Sequence, residues 1–367
     1  MPPVRHLGVL TGGGDCPGMN AALRAVVKAA TSHRGVRVTG FLDGFAGLTY
    51  DQSRPLDFDA VSGILVQGGT ILGASNRHDP FRVRVEDKAG AREEDRSDAA
   101  MGTLARHGID ALVVIGGDGS LRIADRLADR GVPVVGIPKT IDNDVALTDA
   151  SVGFDSARAI ATEAVDRLHT TAASHHRVMV VEVMGRHAGW IALEAGLAGG
   201  GDVILIPEIP FGWDAVVRGI VERTERGRRF SIVVVAEGAR CPDGLTVIQG
   251  RVEGRPEPVR LGGVGAVVTH ELEARLDFEV RYVVLGHVQR GGPPTAFDRV
   301  LATRLGAVAL DAALAGDFRR MVALRGDRVE RVPIAEAVAS PRLVDPAGER
   351  VQAARDIRTI FGDEPAA

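Results

Sequence analysis

Long apolar runs alternate with helix-length amphipathic stretches along most of the chain. Several runs are apolar on successive residues, which is typical of strands that helices cover on both faces. The alternation predicts an α/β fold with a mostly parallel, doubly wound sheet. The expected strands are residues 6–10, 36–42, 111–115, 132–137, 177–183, 203–206, 230–236 and 280–285, and the expected helices are residues 19–30, 97–106, 121–130, 154–171, 213–226 and 295–315.

Polar stretches interrupt this alternation in two places. Residues 82–96 carry a charge cluster without an apolar period, and we expect a solvated loop or a hairpin there. Residues 241–260 are expected to form a surface excursion ahead of a helix. Beyond residue 348 we expect one short helix with a frayed end.

Composition places the chain among globular proteins with a sizeable core. Hydrophobic residues make up 45% and charged residues 25% of the 367 residues, which excludes a disordered chain, collagen and a coiled coil. At roughly 150 residues per domain, the length corresponds to about two domains. The 44 basic and 48 acidic residues give a net charge of −4, so no global field attracts nucleic acid or an anionic membrane.

The chain has the features of a cytoplasmic protein. Its two cysteines, Cys16 and Cys241, cannot form a disulfide framework and suit a reducing compartment. The N-terminal residues contain no signal-peptide core, and no apolar run approaches the roughly 18 residues that a membrane span needs. Lys139 is one of only three lysines in an arginine-rich chain, so its position needs a functional or structural reason.

Glycine-rich turns follow two of the expected strands. Residues 12–18 lead directly into a helix, and their exposed N–H groups could cradle a phosphate or simply form a tight turn. This turn is neither a Walker A loop nor a dinucleotide fingerprint. In the second turn, residues 116–120, Asp118 lies between glycines and is suited to hold Mg²⁺ through water. The alternative is that Asp118 only caps the following helix.

A third turn, residues 138–144, combines two carboxylates with a lysine and a threonine. A solvated turn explains one aspartate but not the whole set. A general base that deprotonates a hydroxyl, beside a second carboxylate near a metal, explains both Asp142 and Asp144. Together the three turns favour a phosphoryl-transfer site.

Basic residues cluster at the ends of later strands. Arginine offers a rigid bidentate fork for phosphate, and a histidine at a glycine turn supplies another donor. Glu237 follows another strand and is placed to accept hydrogen bonds from sugar hydroxyls, or to pair with a neighbouring cation. The basic candidates are Arg177, Arg186, Arg281, His287 and Arg290.

The ordered set of these motifs strongly resembles 6-phosphofructokinase. The resemblance runs from residue 6 to about residue 315. It rests on Gly-Gly-Gly-Asp-Cys-Pro-Gly-Met-Asn (12–20), Gly-Gly-Asp-Gly-Ser (116–120), Pro-Lys-Thr-Ile-Asp-Asn-Asp (138–144), Met-Gly-Arg (184–186) and Leu-Gly-His-Val-Gln-Arg-Gly-Gly (285–292).

The resemblance implies two Rossmann-like lobes with the active site in the cleft between them. Residues 1–153 with about 289–340 would form the larger lobe, which binds the phosphoryl donor and Mg²⁺. Residues 154–288 with the C-terminal helix, about 341–367, would form the smaller, sugar-phosphate lobe. The implied reaction transfers the γ-phosphoryl group of ATP to the 1-hydroxyl of fructose 6-phosphate, a step of glycolysis.

Roles for individual residues come with the resemblance. Asp142 would accept the hydroxyl proton, Asp118 would hold Mg²⁺, and Arg186 and Arg77 would stabilise charge on the phosphates. The expected donor-binding residues are Gly13, Arg77, Gly116, Gly117, Asp118, Gly119 and Ser120. The expected substrate-binding residues are Thr140, Asp142, Asp144, Arg177, Met184, Gly185, Arg186, Glu237, Arg281, His287 and Arg290.

The family divides by phosphoryl donor, and this chain is mixed at the two positions that carry the division. Gly119 resembles the ATP-using members, whereas Lys139 resembles those that use pyrophosphate. An aspartate at position 119 would crowd and repel the α-phosphate of a nucleotide, while a lysine tolerates either donor. We therefore expect ATP, with pyrophosphate as the alternative.

The resemblance also implies a homodimer or homotetramer. In the family, the counterparts of Arg177 and Arg281 reach the sugar phosphate from a neighbouring subunit. Arg24, Arg228 and Arg229 fall where bacterial relatives have a basic effector site, or are simply solvated. His169 replaces an expected arginine there, which argues against inherited allostery.

Two other classes compete with a kinase. A dinucleotide oxidoreductase would need the glycine fingerprint and an acidic residue after the second strand; Asp43 lies near that place, but the fingerprint is missing. A non-catalytic sugar-phosphate sensor would have lost Asp142 or Asp118, and both are present.

Overall fold

A computed structural model describes residues 3–87, 90–242, 244, 246–251 and 259–365. The strands are β1 His6–Thr11, β2 Arg37–Phe41, β3 Ser53–Leu56, β4 Val83–Asp87, β5 Gly90–Glu94, β6 Ala111–Gly116, β7 Val134–Pro138, β8 Val178–Val183, β9 Val203–Leu205, β10 Ser231–Ala236, β11 Ile248–Arg251, β12 Val259–Leu261, β13 Val280–Val284, β14 Arg320–Arg325 and β15 Arg328–Pro333. The α-helices are α1 Met19–His33, α2 Phe45–Tyr50, α3 Ser97–His107, α4 Asp118–Asp129, α5 Phe154–His175, α6 Trp190–Ala198, α7 Trp213–Glu225, α8 Val264–Arg275, α9 Ala296–Leu314, α10 Ile334–Ala337 and α11 Glu349–Asp356. Two 3₁₀ helices cover Ile64–Val66 and Gly286–Arg290.

A seven-stranded sheet has the order β15-β14-β7-β6-β1-β2-β3. Its five central strands run parallel, and the edge strands β3 and β15 pair antiparallel with β2 and β14. Side chains of β6 alternate between two cores: Val113 and Ile115 pack on the side of α1 and α9, while Leu112 and Val114 pack on the side of α3 and α4. Burial on both faces explains why this strand is apolar on successive residues.

A separate four-stranded sheet has the order β13-β8-β10-β9, and all its strands are parallel. Its faces also divide between two cores, with Val181 packing toward α5 and α6 and Val180 toward α7 and α8. The chain therefore passes from one sheet to the other after β7 and returns after β13. The exact division into two lobes stays a prediction.

The two helices that cover one face of the large sheet approach each other closely. A Cβ atom on Gly306 of α9 would lie 2.7 Å from the Cβ of Ala25 and 2.8 Å from the carbonyl oxygen of Ala22, both in α1. Such distances leave no room for a side chain. Small residues on both helices thus allow α9, late in the chain, to complete the first core.

The α/β class predicted from the sequence is confirmed, and the expected strands and helices form within a few residues of their predicted ends. The charged stretch around residues 82–96 is a hairpin of β4 and β5. The excursion expected at residues 241–260 holds β11 and β12, and residues 243, 245 and 252–258 lie outside the described part. A short C-terminal helix, α11, is also present. No helix among the described residues has the length and apolar character needed to cross a membrane.

Candidate functional site

Three turns meet at the carboxyl edge of the seven-stranded sheet, because β1, β6 and β7 are neighbours there. The Gly12 N–H donates to the Ile115 carbonyl at 2.9 Å, and the Lys139 N–H donates to the Gly116 carbonyl at 3.0 Å. In parallel α/β sheets this edge is where ligands bind. The glycine turns and the turn with the two aspartates therefore form one continuous surface.

The first turn is fixed by close contacts with its neighbours. Gly13 has φ of +78°, which favours glycine, and its N–H donates to the Ser75 carbonyl at 3.1 Å. A Cβ atom on Gly12 would lie 2.5 Å from Oγ of Ser120, so the first and second turns touch. Arg77 is exposed beside this surface, and its N–H donates to Oγ of Ser75 at 3.2 Å.

Lys139 is buried beneath the first turn. Its side chain donates a hydrogen bond to the Gly14 carbonyl, and the residue is only 3% exposed. Burial lowers the pKa of Lys139 from its ordinary value, and burial raises the pKa of the nearby Cys16 thiol to about 12. The lysine ammonium therefore contacts the glycine turn from the protein interior.

The second turn presents a carboxylate and open space. Gly117 is the N-cap of α4, and Asp118 is the first helical residue and caps nothing with its side chain. The interpretation of Asp118 as a helix cap is therefore wrong. Its side chain is 54% exposed and lies 3.6 Å from Arg122. A Cβ atom on Gly119 would meet no atom within 4 Å.

The third turn holds its aspartates by local hydrogen bonds. Oγ1 of Thr140 accepts from the Asp142 N–H at 3.1 Å, and the left-handed Asn143, at φ of +52°, accepts from the Ser151 N–H at 3.0 Å. The pKa of Asp144 is raised to about 7 by loss of solvent and by the charges of Asp142 and Asp118. These three carboxylates are therefore close enough to interact.

Turns of the four-stranded sheet bring the second set of residues together. Gly185 has φ of +128° after β8, and a Cβ atom on Gly238, after β10, would overlap the Arg186 carbonyl oxygen at 1.9 Å. The Arg186 guanidinium donates to the Val259 carbonyl at 2.9 Å and contacts His187. Met184 donates its N–H to Oε1 of the buried Gln289 at 3.4 Å.

Glu237 links the two sets electrostatically. Its pKa is raised to about 7, first by burial and then by the charges of Asp142 and Glu182, while Arg290 and Arg186 oppose the shift. Arg290 also crosses to the first turn, where its guanidinium donates to the Asp15 carbonyl at 3.0 Å. The carboxyl ends of both sheets therefore face one region, with His287 exposed at its margin.

Two of the expected phosphate ligands lie elsewhere in the same chain. Arg177 immediately precedes β8 and Arg281 is the second residue of β13, where the register pairs Val280 with Val178. Both guanidinium groups form ion pairs with Glu279. They mark the amino ends of these strands, roughly 17 Å of strand (Arg281) and roughly 23 Å (Arg177) away from the turn with Met184. Within one chain they do not join the site.

The residues considered for an effector site differ in their exposure and in their contacts. His169 is half-buried, bonds the Gly199 carbonyl at 2.6 Å and packs edge-on against Phe230. Arg228 and Arg229 are exposed, and Arg24 is half-buried. His169 thus has a structural role that accounts for its position.

Sequence reasoning missed two buried polar residues beside the site. Glu182 accepts backbone N–H groups of Gly263 and Gly265, at 2.9 and 2.7 Å, and so fixes the start of α8. Gln289 donates to the Gly286 carbonyl at 3.1 Å and shapes the 3₁₀ helix that carries His287. A glutamate inside an apolar run was a usable signal, whereas Gln289 gave none.

Comparisons with known proteins agree with this geometry. A family model described as "Phosphofructokinase" matches residues 6–313. An ATP-dependent 6-phosphofructokinase 2 of Streptomyces coelicolor is 52% identical over 341 residues, which cover 92% of this chain and 96% of that protein. A pyrophosphate–fructose 6-phosphate 1-phosphotransferase of Amycolatopsis methanolica is also 52% identical over 341 residues, with 93% and 96% coverage.

A solved structure supports the same assignment. The T-state phosphofructokinase of Pichia pastoris superposes with a TM-score of 0.79 at 34% identity. The match covers 98% of this chain and 37% of that longer chain. Sequence motifs, sheet topology and relatives along nearly the whole length coincide, and the chain belongs to the phosphofructokinase family.

Proposed function

We propose that the protein transfers the γ-phosphoryl group of ATP to the 1-hydroxyl of fructose 6-phosphate, giving fructose 1,6-bisphosphate and ADP. The observation that carries this proposal is the meeting of strand ends from two different sheets, where the charge of Asp142 reaches both Asp144 and Glu237. The glycine turns after β1 and β6 border them. This arrangement suits a sugar hydroxyl beside a polyphosphate.

Asp142 is the proposed general base. Its backbone is held by Thr140, and burial first and the charge of Asp142 second raise the pKa of both Asp144 and Glu237 to about 7. Near neutral pH the latter two therefore retain protons for part of the time, while Asp142 accepts the proton of the attacking hydroxyl. Glu237, half-protonated, is suited to bond sugar hydroxyls as donor or acceptor.

Positioning and charge stabilisation supply the rest of the catalysis. Arg186 and Arg77 are the proposed cations for the transferring group, and Thr140, Asp144, Met184 and Gly185 the proposed contacts of the sugar. The proposed donor surface consists of Gly13, Gly116, Gly117, Asp118, Gly119 and Ser120. Contacts among these turns hold the surface without a ligand, which reduces the reorganisation that binding requires.

A divalent cation, proposed as Mg²⁺, fits beside Asp118. The carboxylate is exposed at the start of α4, next to the open space at Gly119, and its charge reaches Asp144. Among the described residues, no group of three or more acidic, histidine or cysteine side chains could hold a metal. A single carboxylate with phosphate oxygens and water is a usual coordination for Mg²⁺. Bound there, the cation would neutralise developing charge on the phosphates.

The 6-phosphate is proposed to bind between subunits of a homo-oligomer. His287 and Arg290 belong to the site of their own chain, whereas Arg177 and Arg281 lie at the opposite strand ends. A neighbouring copy would bring its own Arg177 and Arg281 to the phosphate. The exposed apolar side chains of Tyr282, Val283 and Val284 beside Arg281 support a covered β13 edge.

ATP is the proposed donor, and the open space at Gly119 supports it. A nucleotide α-phosphate needs room that an aspartate at this position would fill with like charge. Lys139 is the residue that resembles pyrophosphate-using members and so supports the alternative donor. Its side chain bonds the Gly14 carbonyl of the first turn, however, and its charge there suits a phosphate of either donor.

A coupled assay tests the reaction and the donor together. The purified full chain is incubated with fructose 6-phosphate, Mg²⁺ and either ATP or pyrophosphate, and fructose 1,6-bisphosphate is measured with Asp142→Asn as the matched inactive control. We expect turnover with ATP. Turnover with pyrophosphate but not with ATP would make pyrophosphate the donor. No turnover with either compound would refute the proposed reaction.

A further inference from the structure

A short C-terminal segment connects the two halves of the proposed site. Residues 341–344, here called the C-terminal bridge, follow α10 and precede α11, far in sequence from every motif of the site. The bridge contacts the turn that carries Asp142 and Asp144 on one side. On its other side it contacts residues immediately after the Met184–Arg186 turn.

Arg342 fixes the backbone of the aspartate turn. Its N–H donates to the Asp144 carbonyl at 2.7 Å, and its guanidinium donates to the Asn143 carbonyl at 3.2 Å. Asn143 has a left-handed backbone with φ of +52°, a conformation that needs support from its surroundings in a residue other than glycine. The two bonds constrain the peptide units directly after Asp142.

The same arginine is anchored to the sugar side of the site. Trp190, the first residue of α6, donates its indole N–H to the Arg342 carbonyl at 3.0 Å. The guanidinium carbon of Arg342 lies 4.2 Å from the centre of a Trp190 ring. A stacked arginine has a restricted set of positions, so movement of α6 is transmitted to the aspartate turn.

Glu208 makes a second connection one step along the bridge. Its carboxylate accepts the Gly189 N–H at 2.9 Å and the Val344 N–H at 2.9 Å. Gly189 ends the loop that begins with Met184, so this acid joins the loop directly to the bridge. Burial raises the pKa of Glu208, and the two backbone N–H groups oppose the shift.

We propose that Arg342 and Glu208 are positioning residues that set the separation between the proposed base and the proposed sugar-binding turn. The inference rests on the proposed function, because it assigns the two turns to one reaction. Neither side chain touches the reacting groups. Each acts through backbone atoms of the turns, so its loss changes alignment, to which phosphoryl transfer is sensitive at the scale of about 1 Å.

The test compares two arginines that both lie over Trp190. The guanidinium carbon of Arg350 lies 5.5 Å from the centre of a Trp190 ring and its side chain pairs with Glu194, but within the described part of the chain it makes no hydrogen bond to the aspartate turn. Arg342→Met should lower kcat about 10- to 100-fold while the KM for fructose 6-phosphate changes less than about twofold. Arg350→Met should lose a similar contact with the indole and leave kcat unchanged. Arg342→Lys, which retains a donor and a charge, should recover part of the loss.

Glu208→Gln supplies an independent variant of the same connection. The amide oxygen can keep both bonds that Oε1 accepts, from Gly189 and Val344, but the amide nitrogen then places a donor where Oε2 accepts the Gly189 N–H at 3.1 Å. We therefore expect a smaller fall in kcat. Combined with Arg342→Met, it should cost less than the product of the two single effects, because both act on one segment.

Two results would overturn the proposal. One is an unchanged kcat in Arg342→Met, and the other is an equal fall in Arg342→Met and Arg350→Met at matched thermal stability. The activity of the unmodified chain distinguishes failure of the positioning role from failure of the proposed function. If the unmodified chain phosphorylates fructose 6-phosphate and the variants do so equally well, only the positioning role is refuted.

Discussion

The carboxyl ends of the two sheets differ in the chemical groups that they present. At the seven-stranded sheet, glycines bring backbone groups together, and the buried cation Lys139 supports them from below. At the four-stranded sheet, long cationic side chains dominate, and two of them, Arg177 and Arg281, lie at the wrong strand ends for their own chain. The first surface is built largely within one chain, whereas the second is the one that we propose a neighbouring copy completes.

This difference indicates where each half of the site obtains its stability. Turns at the large sheet are held by neighbouring strands, so their geometry follows from folding alone. The arginines Arg177 and Arg281 at the small sheet form ion pairs with Glu279 instead of contacting the turns of the site. We therefore expect donor binding to survive subunit dissociation and sugar-phosphate binding to depend on assembly.

The largest expected effect separates chemistry from binding. Asp142→Asn removes the proposed base, and we expect kcat to fall about 10³-fold, since general bases contribute roughly 10²–10⁴-fold. Asp327→Asn, in an exposed turn between β14 and β15, is the matched control and should keep full activity. Steady-state assays with thermal melts check both, and undiminished kcat in a folded Asp142→Asn would exclude it as the base.

A second variant tests whether the sugar side is shared. Arg281→Met should raise the KM for fructose 6-phosphate about 10- to 100-fold, because a charge-assisted bond to phosphate is lost. Its ion pairs are exposed, so the free energy of unfolding should change by less than about 1 kcal/mol. An unchanged KM would remove Arg281 from the phosphate site.

Mixed oligomers sharpen the same point. Subunits carrying Asp142→Asn and subunits carrying Arg281→Met should regain activity when dissociated and reassembled together, because some sites then combine an intact base with an intact arginine. Mixing Asp142→Asn with the double variant should restore nothing. Recovery absent from the first mixture would place both residues in the same chain's site.

A substitution that affects the choice of phosphoryl donor should have a smaller effect, and only on binding at the large sheet. Gly119→Asp should lower kcat/KM for ATP about tenfold, since a like charge near a phosphate in a partly solvated site costs about 1–2 kcal/mol. Gly119→Ala is the matched control, because its methyl group enters open space and should be tolerated. Equal ATP kinetics in all three proteins would defeat the steric argument, and KM for fructose 6-phosphate should be unchanged throughout.

The smallest effect concerns stability rather than rate. The pKa of Asp144 rises from 3.8 to about 7 on folding, so between these values the folded protein holds a proton that the unfolded chain has lost. The free energy of unfolding therefore falls as pH increases through this range. Asp144→Asn should flatten that decline and stabilise the protein by roughly 1–2 kcal/mol above pH 7. Chemical denaturation at several pH values measures the difference, and an identical slope would contradict it.

Sequence periodicity predicted the elements whose environment is uniform. β1 and β6 are buried on every residue, and α1 has one apolar face, so each is recognisable from its own residues. Helix α6 was missed because nearly all its side chains are buried and no polar face marks its period. The edge strand β15 was missed for the opposite reason, since its exposed arginines and glutamate hide the alternation. Its neighbour β14 was also missed, because its buried apolar part is only four residues long between two arginines.

The candidate site followed from local motifs, and its remaining parts depend on contacts between distant residues. Asp118, Asp142 and Glu237 stand at strand ends that the pattern already located. Arg342 and Glu208 carry no motif, and their roles appear only where the chain brings residue 342 beside residue 144. In contrast, the expected strands 177–183 and 280–285 already placed Arg177 and Arg281 at strand starts, away from the carboxyl edge of the sheet.

The late position of α9 has a consequence for synthesis on the ribosome. The strands of the smaller sheet are all translated by Val284, whereas Ala22 and Ala25 of α1 gain their covering helix only when Gly306 has emerged. A nascent chain of intermediate length therefore completes its second sheet while the first still exposes an apolar helix face. An intermediate with such an exposed apolar face is prone to aggregate, so we expect chaperones to bind it during translation.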